Sequence, residues 1–380
     1  MLAFMKTSLE SNLRRIAELL VAHVGTDRAD KVIVVMNPVA GGLAQAIRRR
    51  KHIAALEAVT PAPQGTVAAA LPEAGGALPA PGLLPFELHI TKEAGNTEVI
   101  AAEVMSQDHG NERVLVLLCG GDGTYSQFLD VCLQAGPEAL KQFSFMRLPL
   151  GSGNDGADAR DLVHATEIIS KTGQVVPSRG VGVSPQGLPT RYAFNITSVG
   201  IDAYVTYMTN KLRKRLPGDT YKLVADLSTL FYDRIYGVGE MKVQVERVGK
   251  QPTEELRGQF MLFAVGVSGY RCYGDHKWVL PDEHNVCAIK LDNMTLSRRL
   301  DLKKRLYAGD HVHHENTEML GVRKATIEYD RVIPLQLDGE GIWLKPENFP
   351  LSFELTEPLL SVLVDPADSG RYLQRYSYLS

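Results

Sequence analysis

The sequence predicts an α/β domain built on a doubly wound parallel sheet and, after it, a domain of antiparallel strands; three observations carry this. Apolar runs of strand length alternate with helical patterns from Lys31 onward. Three of those runs end in glycine-bearing turns: Asn37-Pro38-Val39-Ala40-Gly41-Gly42, Gly120-Gly121-Asp122-Gly123-Thr124 and Gly151-Ser152-Gly153-Asn154-Asp155. Beyond residue 172 the texture changes to short alternating runs separated by turn residues. Alternating strands and helices imply a parallel sheet, with ligands gathered beyond the carboxyl ends of its strands.

In chain order, residues 8–24 set Leu9, Leu13, Ile16, Leu20 and Val24 on one face, with Glu10, Arg14, Arg15 and Glu18 mostly opposite. This is an amphipathic helix with Ser8 as the candidate cap. Its polar face is not strongly basic, which favours packing on the domain over a membrane role. KVIVVM, 31–36, is a buried strand, followed by a helix over 43–58 whose Arg48, Arg49, Arg50 and Lys51 read as a solvated face. Residues 60–85 turn to Pro, Ala and Gly, a loop or low-complexity insertion. The first domain is completed by strands over 86–90, 114–118 and 145–150 and helices over 96–106, 125–133 and 159–171. Short strands are expected over 191–198, 241–248, 260–266, 286–291, 325–329 and 335–337, and strand-like texture returns over 351–364. Residues 204–232 read as helical and carry Lys211, Arg213, Lys214 and Arg215. This basic cluster fits a surface helix and an anionic headgroup contact about equally. The expected divisions are 1–28, an N-terminal helix; 29–172, a nucleotide-binding α/β domain; 173–341, the antiparallel domain; and 342–380, a segment returning towards the first domain.

Bulk properties narrow the function classes. With 380 residues, 44% hydrophobic and 22% charged, the chain has the composition of a globular protein of about two domains. A formal charge of −3 argues against a general nucleic-acid binder. Cys119, Cys132, Cys272 and Cys287 form no CxxC pair and no metal spacing, as expected of reduced thiols. Residues 1–8 hold too short an apolar run for a signal peptide, and no run of about 18 apolar residues occurs. A cytoplasmic chain is expected, one that meets the inner membrane face, if at all, from its surface. His311, His313 and His314 lie on one short stretch with no recognised metal spacing and read as a surface cluster.

Glycine turns at strand ends let the backbone approach a ligand and leave the following helix's N–H groups free for an anion, so phosphate is the expected guest. Phosphoryl transfer needs donors and a metal for the spread charge, an in-line nucleophile and a carboxylate for its proton. Asp122 or Asp155 can help hold Mg²⁺, which takes one or two carboxylates with phosphate oxygens and water. Asp338 and Glu340 flank Gly339 at a strand end, where either could face an acceptor, although Asp-Gly is also a common hairpin turn.

The ordered set Asn37-Pro38-x-x-Gly41, Thr91, Gly120-Gly121-Asp122-Gly123-Thr124, Gly151-Ser152-Gly153-Asn154-Asp155 and Asp338-Gly339-Glu340 resembles the diacylglycerol kinase catalytic-domain family, which includes bacterial lipid kinases and sphingosine kinases. Phe194-Asn195-Ile196 and Gly200-Ile201-Asp202-Ala203 belong to the same resemblance. It implies an ATP-dependent lipid kinase with an N-terminal nucleotide domain and a C-terminal β-sandwich, Mg²⁺ as metal, and a lipid such as diacylglycerol or a sphingoid base as acceptor. Carried over by motif, Asn37, Pro38, Gly41, Thr91, Gly120, Gly121, Asp122, Gly123, Thr124, Ser152, Gly153 and Asn154 line the ATP site. Asp122 organises phosphates and magnesium, and Asp338 or Glu340 takes the hydroxyl proton.

The chain departs from the family at Tyr125-Ser126-Gln127, where an amide replaces a common acid, and at residues 281–287, which lack the Asp-Asp-Gly part of a second metal segment. The helix after Asp155 is expected to start late, because Gly156-Ala157-Asp158 intervenes. Two other readings stay open: an NAD kinase-like kinase of a soluble nucleotide, and a catalytically weak lipid-binding protein of the same fold. Against the first stands the Asn-Pro-x-x-Gly turn; Gln127 motivates the second.

Overall fold

The computed structural model describes residues 2–60, 83–93, 95–151, 153–213, 232, 237–247, 253–267, 279–280 and 284–369, with the side chains of 2–7, 212 and 213 left aside. The described residues form two compact units, 2–176 with Leu360–Ser369, and Pro177–Leu359. Ser152, Lys214, Arg215, Cys272 and residues 281–283, together with most of the 60–85 insertion, lie outside the described residues.

The first unit holds β1 (Lys31–Met36), β2 (Phe86–Ile90), β3 (Val114–Gly120), β4 (Phe143–Pro149), β5 (Gln174–Ser178) and, returning late in the chain, β18 (Leu360–Val364). Their order is β2-β1-β3-β4-β18-β5, and β2, β1, β3, β4 and β18 pair in parallel. Val32, Ile33, Val34, Val35 and Met36 are fully buried, because a parallel sheet is covered on both faces. On one face the core joins Val32, Val34, Met36, Leu115 and Leu117 to Leu13, Ile16 and Leu20 of α1 (Leu2–Val21) and Leu56 of α2 (Ala46–Val59). The other helices are α3 (Asn96–Ser106), α4 (Asp122–Gln134), α5 (Pro137–Leu140) and α6 (Leu162–Glu167), the last running into a π-helical turn, Ile168–Thr172.

Local chemistry corrects several expectations here. Since α1 begins at Leu2, Ser8 is interior to the helix and caps nothing. α2 begins at Ala46, later than residue 43, and its arginines are not all solvated. Arg48 donates to the Gly41 carbonyl, and buried Arg49 donates to the Leu43 and Ala44 carbonyls, so both tie down the turn before the helix. α6 does start late, at Leu162, where the Asp161 carboxylate accepts from the His164 N–H as its cap.

The second unit comprises β6 (Val181–Pro185), β7 (Arg191–Ala193), β8 (Ile196–Gly200), α7 (Ile201–Arg213), β9 (Met241–Arg247), β10 (Glu254–Gly258), β11 (Phe260–Gly266), β12 (Val286–Lys290), α8 (Leu296–Ala308), β13 (Thr317–Leu320), β14 (Val322–Glu328), β15 (Ile333–Leu337), β16 (Glu340–Leu344) and β17 (Leu351–Leu355). They form two six-stranded sheets, β10-β9-β14-β17-β6-β7 and β13-β12-β11-β8-β15-β16. Their inner faces share one apolar core, with Val243, Ala325 and Phe353 from the first sheet and Phe263, Val265 and Leu335 from the second, which makes a β-sandwich. The outer face of the second sheet is apolar as well. There Ile196, Leu262, Ala264 and Ile289 pack with Ile201, Tyr204 and Val205 of α7 and Leu302 of α8.

Of His311, His313 and His314 only His313 is exposed, so they do not form a surface cluster. His311 is fully buried with Nε2 at 2.8 Å from the Val279 carbonyl, and His314 is buried with Nδ1 accepting from the Asn316 N–H. Among the described residues no group of three or more His, Cys, Asp or Glu could hold a metal, and no helix is long and apolar enough to cross a membrane. Cys119, Cys132 and Cys287 are buried free thiols, and burial pushes Cys287 up to about 12, so none is a ready nucleophile.

Candidate functional site

In the order β2-β1-β3-β4 the chain steps from β1 to one side and then returns to place β3 on the other. The gap beyond the carboxyl ends of β1 and β3 is therefore the topological switch point, where open α/β sheets bind ligands. The Asn37 turn leaves β1 there and the Gly120–Asp122 turn leaves β3. They are joined directly, since Asn37 N–H donates to the Cys119 carbonyl at 2.9 Å and Asn37 Nδ2 to Thr124 Oγ1 at 3.0 Å. Asn37 Oδ1 accepts from the Val39 N–H, and Gly42 N–H donates to the Leu150 carbonyl, which draws in the end of β4. Thr91, just past β2, is buried and donates its N–H to the Met36 carbonyl.

The glycines are required by contact. A Cβ on Gly120 would lie 2.6 Å from Thr124 Cβ, and one on Gly151 would lie 2.4 Å from Gly121 Cα. The turns after β3 and β4 thus touch backbone to backbone, a proximity no side chain permits. Asn154 takes φ +59°, and its Oδ1 accepts from the Gly151 N–H at 2.6 Å. Asp122, in the first turn of α4 where a carboxylate suits the helix dipole, accepts from the Gly156 N–H at 2.8 Å through Oδ1. Its Oδ2 and the Asp155 Oδ1 both come within 4 Å of the point a Gly153 Cβ would occupy, at 3.1 and 3.8 Å. Two carboxylates beside a turn of free-approach backbone form a donor set that fits Mg²⁺ when phosphate oxygens complete it.

Two supports were not evident in the sequence. Tyr125 is buried, and its hydroxyl is directed at the Gly120 and Leu148 carbonyls, fastening the ends of β3 and β4. Burial first and Asp122 second push its phenol well above the ordinary value, so it stays a donor. Arg147 and Asp158 form a buried pair: Arg147 donates from its backbone N–H and Nε to Asp158 Oδ2 and from Nη2 to Oδ1, at 2.7, 3.0 and 2.7 Å. This holds the start of the segment after Asp155 on β4. An arginine between Met146 and Leu148 of the strand FSFMRLP was the available signal.

Asp338 and Glu340 belong to the second unit, at the β15–β16 hairpin. Asp338 (φ +46°) and Gly339 (φ +92°) form its two-residue loop with Leu337 paired to Glu340, the geometry that Asp-Gly favours. The two acids differ sharply in surroundings. Asp338 is 3% exposed; its Oδ2 accepts from the Phe194 N–H at 2.6 Å and its Oδ1 from the Asn195 and Ile196 N–H groups, each at 2.9 Å. Glu340 is exposed. Of the basic cluster, Lys211 is exposed with Nζ 5.9 Å above the Tyr207 ring.

Known proteins are similar to this chain in part of the sequence and in fold. The diacylglycerol kinase catalytic domain family model matches residues 31–178. No curated protein matches the chain. Among solved structures, a putative diacylglycerol kinase from Bacillus anthracis is 16% identical, covers 90% of this chain and 97% of its own, and superposes with a TM-score of 0.57. A second structure of a putative diacylglycerol kinase from that organism, also 16% identical, covers 90% and 99% with a TM-score of 0.56. These likenesses concern the fold. Residues 31–178 therefore match the diacylglycerol kinase catalytic domain model, on a chain whose two-part fold is shared with putative diacylglycerol kinases.

Proposed function

We propose that the protein is an ATP-dependent lipid kinase that moves the γ-phosphate of ATP to a lipid hydroxyl, with diacylglycerol or a sphingoid base as acceptor. The observation that carries the reading is the contact of the glycine turns after β3 and β4, beside the β1/β3 switch point and within the segment that matches the family model. The turns of Asn37, Pro38 and Gly41, of Gly120 to Thr124, and of Gly153 and Asn154 would present backbone N–H groups to the triphosphate, with Thr91 beside them and Ser152 carried by motif alone. Asp122 and Asp155 would hold Mg²⁺, which supplies charge neutralisation for the transferring phosphoryl group.

Of the two acids at the hairpin, Glu340 is assigned as proton acceptor. Asp338 has its oxygens occupied by three backbone donors, which commit them to the loop, whereas Glu340 is exposed. Lys211, Arg213, Lys214 and Arg215 are proposed to meet an anionic membrane surface, each cation near it adding about 1 kcal/mol.

The test is transfer of labelled phosphate from ATP, with Mg²⁺, to diacylglycerol, a sphingoid base, NAD or no acceptor. A labelled lipid that disappears with Asp122→Asn supports the reading. Label on NAD alone would replace it with a soluble-nucleotide kinase, and ATP consumption unchanged by any lipid would replace it with a lipid-binding protein.

A further inference from the structure

The β15–β16 turn has nearly all its polar groups committed. Besides the Asp338 carboxylate bonds, the Asp338 N–H donates to the Ile196 carbonyl at 3.0 Å. The Gly339 N–H donates to Gln336 Oε1 at 3.0 Å, and the Gly339 carbonyl accepts from Asn210 Nδ2 at 2.9 Å. Gln336 is itself fully buried and anchored: its Nε2 donates to Ser198 Oγ at 3.0 Å and to Asp202 Oδ2 at 3.1 Å. Ser198 Oγ donates to the same Asp202 oxygen at 2.8 Å. Ser198 and Gln336 face each other across paired strands β8 and β15, and Asp202 sits in the first turn of α7.

A run of buried polar groups in an apolar sandwich is expensive unless it is fully satisfied, and when satisfied it fixes one conformation. Plain hairpin closure needs none of it, since an Asp-Gly loop closes on its own backbone. The network instead ties the loop to a strand and a helix end that are distant in sequence. The residue that follows this anchored loop is Glu340.

We infer that Asp202 and Gln336 are positioning residues that, through the Gly339 N–H, aim Glu340 at the acceptor hydroxyl, with Asp338 as the anchor of the same turn. The inference rests on the kinase reading above. The amide of Gln336 transmits the constraint because it alone both donates to Asp202 and accepts from the loop. Chemistry at a proton acceptor is sensitive to such placement, and a displacement of about 1 Å can cost on the order of a hundredfold.

The experiment exchanges donor and acceptor in the full chain and measures kcat and the ATP KM with diacylglycerol in mixed micelles. Asp202→Asn keeps an oxygen for Ser198 and Gln336 and is expected to leave kcat within about threefold. Gln336→Glu sets two carboxylates together and lowers kcat about tenfold or more at neutral pH, with the ATP KM unchanged. Activity of that variant returns on acidification, when the introduced carboxyl regains a proton to donate. The double variant Asp202→Asn with Gln336→Glu restores a donor opposite an acceptor and recovers kcat. Parent-level kcat in Gln336→Glu would overturn the inference, as would a double variant no better than the single one. A rise of the ATP KM in step with a lower melting temperature would also overturn it, by making the role structural. Glu340→Gln in the same assay separates the two claims: if it retains turnover, the assignment of the base fails independently of the network.

Discussion

The two acid-bearing turns of this protein are built by opposite means. In the first unit, the turns after β3 and β4 are defined by what is missing: at Gly151 a side chain would begin 2.4 Å from the neighbouring backbone. In the second unit, the β15–β16 loop has open space beside Gly339 and is defined by what is added, a set of buried side chains that bind its peptide groups. Two backbones can come this close only where side chains are excluded. A loop held in one conformation by buried polar groups needs those supports specified.

Substitutions can break that contrast. The largest effect is expected from Gly151→Ala, which forces the two glycine turns apart at a cost on the order of 3 kcal/mol, read by chemical denaturation, and weakens ATP binding at the same time. Asp338→Asn fits the left-handed backbone but leaves a buried N–H facing an amide, and should cost about 1–3 kcal/mol. Gly339→Ala meets no atom within 4 Å and pays only for its φ of +92°, about 1–2 kcal/mol. If Gly151→Ala proved milder than Gly339→Ala, steric exclusion would not be what shapes the first unit's turns.

The smallest effect is a pH dependence away from both turns. Asp365 accepts from the Ala367 N–H and then from His164 Nε2, and these bonds hold its carboxyl below the ordinary carboxylate value. A depressed folded-state value gives stability that is complete above the unfolded pKa and is lost as pH falls through the folded one. Asp365→Asn should therefore lower the melting temperature at neutral pH, with the difference closing progressively below about pH 4.

How much could be read from the sequence follows the same division. Apolar runs such as 31–36 and 114–118 and the glycine strings at their ends mark themselves, because burial on both faces and close backbone approach each demand particular residue types in consecutive positions. The supports of the second turn do not. Ser198 and Gln336 are 138 residues apart and acquire a joint meaning only through strand pairing. Asp202 lay inside a recognised motif, Gly200 to Ala203, with no visible partner. The misreadings share a cause: Arg49, His311 and His314 are polar and close to other polar residues in the chain, yet each is buried against carbonyl or N–H groups that a linear pattern does not locate. Strands β5, β6, β10, β13 and β16 escaped notice because they are short and some, such as β13 and β16, do not alternate between buried and exposed positions.

The most direct measurement is ATP affinity by calorimetry beside phosphate transfer to diacylglycerol, both on Glu340→Gln. On the proposed division of roles, with nucleotide contacts at the glycine turns and the proton acceptor at Glu340, the expected result is a parent-like Kd for ATP with turnover reduced about a hundredfold or more. Turnover kept at the parent's level, or ATP affinity lost along with turnover, would contradict that division.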